Sequence, residues 1–213
     1  MALKLNTAAT DLPVTLAEGK AHLRVSDTTD DDLITALIGA ATVNAEQIMG
    51  RAIMPQKWQV YLDAFPFSRW APGDSYLPST RVAQPYAVDL QKPPVTAVDS
   101  VKYIDADGVL TTVDPSLYQL VAGSDYTASV TPAYNQVWPE ARYQPEAVQV
   151  VFSCGYANAA AVPEPIKAWI KLRLGAMYEN REATVVVVGD RLTMVELPFF
   201  DTLLDPYRVW AAG

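Results

Sequence analysis

The sequence predicts an α+β protein: a small bundle of three main helices, an antiparallel β-subdomain inserted between the second and third, and an extended C-terminal arm. Three observations carry this. Residues 162–182 hold the most hydrophobic helical pattern in the chain. Two weaker amphipathic helices lie near the N-terminus and can bury its apolar face. Between them, residues 56–153 change to period-two alternation broken by Pro and Gly, the texture of short antiparallel strands. The expected domains are therefore 1–55 with 154–183 as the helical bundle, 56–153 as the inserted β-subdomain, and 184–213 as an arm with a short helix.

In chain order, residues 1–12 mix apolar and polar residues without a firm pattern. A first helix is expected over 15–25, because Thr15-x-x-Glu18 reads as a capping box worth about 1 kcal/mol. The second spans 30–49. Thr29 to Asp32 cap it, Leu33, Ile34, Leu37, Ile38, Ala41, Ala45 and Ile48 form its stripe, and Gly50 stops it in a left-handed conformation. The third spans 163–182. Pro163 and Pro165 suit its first turn, where no intrahelical bond is lost, and Glu164 faces the positive end of the dipole. Ile166, Trp169, Ile170, Leu174, Met177 and Tyr178 make its buried face, with Lys167, Lys171 and Arg173 off the centre.

Strands are expected around Trp58–Leu62, Ala87–Leu90, Val98–Ile104, Val109–Val113, Tyr118–Val121, Thr127–Val130 and Ala147–Phe152. Asp105-Ala106-Asp107-Gly108 reads as a hairpin turn with Gly108 at positive φ. Residues 64–85, rich in Pro, Ser, Gly and aromatics, read as a long loop. Thr184 to Leu197 reads as a hairpin or an extended arm, and Pro198 to Arg208 as one or two helical turns ending at Pro206.

Composition narrows the function. A net charge of −8 argues against a surface that grips DNA, which needs clustered Lys and Arg, but suits one that DNA passes without sticking. The longest apolar runs fall far short of a membrane span. The first residues resemble neither a signal nor a transit peptide, which points to a protein that acts in, or leaves from, the cytoplasm. Cys154 is the single cysteine, so neither an intrachain disulfide nor a cysteine zinc site is expected. Asp30, Asp31 and Asp32 have the wrong spacing for a calcium loop, and His22, the one histidine, has no nucleophile or orienting acid near it in sequence. No phosphate-loop pattern occurs. No catalytic, metal or cofactor site is expected. The five tryptophans (Trp58, Trp70, Trp138, Trp169 and Trp210) and eleven tyrosines exceed what a small core demands. Tyr and Trp are favoured at interfaces, and Tyr207 and Trp210 are the candidates furthest from a helix core.

An ordered set of short motifs resembles one family. They are Pro13-Val14-Thr15-Leu16-Ala17-Glu18 running on to Val25, Asp30-Asp31-Asp32-Leu33-Ile34, Gly50-Arg51-Ala52-Ile53 with Gln56-Lys57-Trp58, and Pro93-Pro94-Val95 with Val101-Lys102-Tyr103. They continue in Trp138-Pro139, Gly155-Tyr156, Val162-Pro163-Glu164-Pro165-Ile166-Lys167, Tyr178-Glu179-Asn180-Arg181-Glu182 and Leu203-Leu204-Asp205-Pro206-Tyr207-Arg208. The set is similar to the head–tail connector (adaptor, head-completion) proteins of tailed bacteriophages, in the branch with a β-insertion, and departs from it mainly at 64–85.

The resemblance implies a non-enzymatic virion protein at the neck. Such proteins form a homo-oligomeric ring, typically a dodecamer, beneath the portal protein. They extend the DNA channel and present a docking surface to the stopper or tail-completion protein, with no cofactor and no membrane. On that reading Leu203, Leu204, Asp205, Pro206, Tyr207, Arg208 and Trp210 are the expected portal contacts. Tyr178, Glu179, Arg181 and Glu182 are the expected subunit interface. The tryptophans and the 64–85 loop also fit a carbohydrate- or host-surface-binding module, and scattered carboxylates with His22 a hydrolase; both rank lower.

Overall fold

The computed structural model describes residues 1–66, 86–180 and 200–209. It is a mixed α/β protein with helices and antiparallel sheets, and its contacts divide into two compact units. One comprises Met1–Ala8 with Pro55–Gly155, the other Ala9–Met54 with Tyr156–Gly213.

The first unit holds eight strands among the described residues: β1 Ala2–Thr7, β2 Gln56–Leu62, β3 Val88–Leu90, β4 Val95–Ile104, β5 Leu110–Thr112, β6 Tyr118–Val121, β7 Ala128–Pro132 and β8 Val148–Cys154. One sheet runs β1-β2-β8-β4-β5, the other β3-β7-β6. β8 is central to the larger sheet and alternates buried and half-buried residues along its length, as a strand with one core face must. Its antiparallel register sets Val60 against Val150 and Trp58 against Phe152. Val60, Val101, Val148, Val150 and Phe152 are all fully buried. The expected hairpin forms: Asp105 N–H bonds to Val109 C=O at 3.0 Å, and Gly108 takes φ +84°, a conformation that costs a residue without Cβ little. A second anchor is Trp138, stacked on Phe65 with centroids 4.6 Å apart. Its indole N–H donates to the Tyr86 carbonyl at 2.6 Å.

Residues 1–8 correct the expected boundaries. They were placed with the helices, yet Ala2–Leu5 pair with Trp58–Tyr61 as an antiparallel edge strand. Local pattern missed β1 because almost every side chain along it is exposed. Its Leu3-Lys4-Leu5-Asn6 alternation is too short to stand out from a loop.

The second unit contains α1 Leu16–Leu23, α2 Asp31–Met49 and α3 Glu164–Glu179. Ile34, Ile38, Ala41, Ala45 and Met49 of α2 share one core with Ile166, Trp169, Ile170 and Leu174 of α3. Gly19 explains how α1 joins them. A Cβ there would lie 2.9 Å from Ile38 Cδ1 and 3.3 Å from Leu174 Cδ2, so glycine allows this approach without displacing either side chain. The Thr15 capping box forms in both directions: Glu18 N–H donates to Thr15 Oγ1 at 3.2 Å, and Thr15 N–H donates to Glu18 Oε2 at 2.7 Å.

That box makes a pH-dependent contribution. The bond from Thr15 N–H, then the Thr15 hydroxyl, holds the Glu18 carboxyl below its ordinary pKa. A lowered carboxyl stabilises the fold above its unfolded-state pKa, and the gain disappears as pH falls through the folded-state value. The stability gap between the native chain and Glu18→Gln should therefore be largest near neutral pH and close in acid. Thermal melts across that range check it, and a gap independent of pH would contradict it.

Three helical expectations need correction. Asp30 is the N-cap of α2 but makes no side-chain capping bond; its carboxylate instead accepts from Tyr178 Oη at 2.6 Å. Asp31 pairs with Lys20 Nζ at 2.6 Å. The aspartates thus tie the start of α2 to α3 and α1, because a partly buried tertiary partner outweighs an exposed local cap. Lys167 is buried rather than off-centre, its stem covered and its ammonium reaching Glu164 at 3.1 Å. Pro206 does not end a helix: it lies in the first turn of the 3₁₀ segment Asp205–Tyr207, where its missing N–H costs nothing.

Candidate assembly surfaces

The segment expected to reach a partner is first a part of its own unit. Residues 200–209 form two 3₁₀ turns, Phe200–Leu203 and Asp205–Tyr207. Leu204, between them, is fully buried in the helical core, with Leu203 and Tyr207 packed partly against it. The Trp169 indole N–H donates to Asp201 Oδ1 at 2.9 Å, and Val209 N–H donates to the Met49 carbonyl at 2.8 Å. Leu204 is therefore an internal anchor, not an exposed contact. A strongly apolar Leu-Leu pair followed by Asp-Pro signals a buried turn as readily as an interface, and sequence alone does not separate the two. Tyr207, expected far from any helix core, is half-buried on it. Asp205 and Pro206 remain exposed, and Arg208 Nε pairs with Asp205 at 3.1 Å. Trp210 lies outside the described residues.

Of the expected subunit interface, Tyr178 is committed to Asp30 and half-buried, while Glu179 is exposed. Arg181 and Glu182 lie outside the described residues, as do Trp70, most of the 64–85 loop and the 184–197 stretch. The structure therefore brings together the 200–209 segment with α2 and α3. Elsewhere on this unit Val43 of α2 and Leu172 of α3 are large apolar side chains left about half exposed.

Sequence reading passed over Arg51. It is 1 % exposed, and its Nη1 bonds to Tyr156 Oη at 3.0 Å. The motifs Gly50-Arg51 and Gly155-Tyr156 contained both partners, but 105 residues separate them, and no local pattern pairs residues at that distance.

The β unit holds a half-open cavity of about 540 Å³ lined by Tyr86, Gln119, Thr131, Tyr134, Asn135 and Trp138 among others. Among the described residues its lining carries no carboxylate, histidine or cysteine. Cys154 is buried, and among the described residues no group of three His, Cys, Asp or Glu is placed to hold a metal. No helix among the described residues is long and apolar enough to cross a membrane. The surface also offers exposed aromatic and apolar residues: Tyr134, Tyr143 and Val137 stand out from the β unit, the chemistry suited to contact.

Comparison with known proteins adds what the geometry does not. Residues 13–102 match the model of the phage gp6-like head-tail connector protein family, so the resemblance drawn from the sequence holds over that stretch. No curated protein matches the chain significantly. Among solved structures, it is similar to a chain in "Neck of empty GTA particle computed with C6 symmetry", with TM-score 0.71 and 20% identity over 99% of this chain and 96% of that one. A chain in "Virion of native gene transfer agent (GTA) particle" gives TM-score 0.71 at 21% identity. One in "Neck of native GTA particle computed with C12 symmetry" gives 0.69 at 21%, both with the same coverage. These likenesses extend the fold well beyond the family match, to nearly the whole chain.

Proposed function

We propose that this chain is a structural head–tail connector of a phage-like particle. It forms a ring in the neck beneath the portal, lengthens the DNA channel, and offers the docking surface for the stopper or tail. The match of residues 13–102 to the connector family carries the reading. The net charge of −8 supports it, since an acidic channel wall repels DNA phosphates and lets the duplex pass.

In finer detail, we infer that α1, α2 and α3 act as a three-helix bundle forming the ring wall, with β2 to β8 as an insertion between α2 and α3. Twelve copies in a closed ring require a heterologous contact, with different patches on the two sides of each subunit. Val43 and Leu172, exposed on α2 and α3, suit such a contact. A stable one buries on the order of 1,600 Å² in total.

Particles made without this chain should retain DNA-filled heads and lack tails, and a map of intact particles should show a ring of it at the neck. Tails attached normally in its absence would rule the connector role out. For the portal contact, the accessible part of the 200–209 segment is the candidate, namely exposed Asp205 and Pro206 with half-buried Arg208 and the rim of Tyr207. The double variant Asp205→Ala/Arg208→Ala should keep its melting temperature within a few degrees and lose attachment to portal-bearing heads. Unchanged attachment in a pull-down on those heads would exclude this segment as the contact.

A further inference from the structure

The larger sheet ends on both sides at a strand with no second neighbour among the described residues: β1 at one end, β5 at the other. Free edges attract other strands, and proteins usually blunt or cover them. Among the described residues neither edge is covered. β1 is exposed at every position except half-buried Leu3. Beside β5, Val109 and Leu110 are about half exposed.

The ladder shows which groups of β5 are free. Asp105 N–H bonds to Val109 C=O, and Val113 N–H to Val101 C=O. With Tyr103 opposite Thr111, alternation makes 101/113, 103/111 and 105/109 the hydrogen-bonded pairs. Leu110 and Thr112, opposite Ile104 and Lys102, therefore turn their N–H and C=O groups away from β4.

Two further facts say what fits this edge. The first ten residues carry Lys4 and no acid, whereas β5 is bracketed by Asp105, Asp107 and Asp114. Backbone bonds from Val109 and Ser116 hold the Asp105 and Asp114 carboxyls below their ordinary pKa, so both are ionised at neutral pH. The edges are thus complementary in charge. They also lie on opposite sides of one sheet, which is the arrangement a head-to-tail contact needs.

We propose that β5 of one copy pairs with β1 of the next, so that the sheet continues from subunit to subunit around the ring. This rests on the ring reading above and adds the contact that closes it. β1 and β5 are four antiparallel steps apart and point the same way. The small rotation between ring neighbours preserves direction, so the new pair is parallel. The bulge between Leu5 and Thr7 confines pairing to Ala2–Leu5.

Two thiol pairs test this in necks purified from particles, with ring size measured on the same sample. Ala2→Cys with Leu110→Cys should cross-link adjacent copies into a ladder, and Ala2→Cys with Thr112→Cys should cross-link far less. Leu110→Pro removes a donor that makes no bond among the described residues, and prolines are tolerated on edge strands. It should keep the native melt and reduce ring yield about tenfold, roughly 1.4 kcal/mol in the contact. Rings of normal size without cross-links, assembling equally well from Leu110→Pro, would overturn the pairing. Ladders through position 112 instead of 110 would overturn the parallel register that sets Ala2 beside Leu110 and Lys4 beside Thr112. A sample with no rings at all would remove the connector reading itself, and the size measurement tells these outcomes apart.

Discussion

Replacing Trp169 with alanine is expected to cost the helical unit about 3–5 kcal/mol, the usual range for emptying a large aromatic site in a core. The side chain is 1 % exposed and packs in the core shared by α2 and α3. It also donates to Asp201 Oδ1 at 2.9 Å, so its loss leaves a partly buried carboxylate short of a donor. Trp169→Phe separates the two effects: most of the packing stays, and only the indole donor goes. Denaturant titration should rank the chains native, Trp169→Phe, Trp169→Ala. If Trp169→Phe were as stable as the native chain, the bond to Asp201 would not be holding the C-terminal segment.

Leu204→Ala is expected to cost about 2–5 kcal/mol, because the residue is fully buried and its cavity would lie between the 3₁₀ turns and the helical core. The prediction decides between two roles for the same residue. As an exposed portal anchor, Leu204 could be truncated with little change in stability and a large loss of attachment. As an internal anchor, its truncation lowers stability first, and attachment fails only because the 200–209 segment is released. Hydrogen exchange should show the Val209 N–H, bonded to Met49 C=O at 2.8 Å, losing protection in this variant. Protection equal to that of the native chain would return Leu204 to the surface role. For the same reason, deleting residues 198–213 does not test portal binding cleanly, since it also removes a core side chain.

The helices were legible because their signals are local. Thr15 and Glu18 are three residues apart, Gly50 sits at the end of an apolar stripe, and Pro163 and Pro165 open α3 where prolines belong. The hairpin at Asp105–Gly108 was legible for the same reason. β1 was not, since its alternation, Leu3-Lys4-Leu5-Asn6, holds only two apolar residues and is too short to mark a strand. The buried Arg51–Tyr156 bond, the Asp30–Tyr178 bond and the insertion of Leu204 into the core were also beyond reach. Each joins residues that only folding makes neighbours.

By itself, the order of residues determined where the three main helices and the Asp105–Gly108 turn lie. It also determined the likeness to a connector family, because ordered short motifs survive as sequence. The tertiary structure alone decided which apolar residues face a core and which face a neighbour. Burial depends on what packs across from a side chain, and the chain brings that partner from more than a hundred residues away.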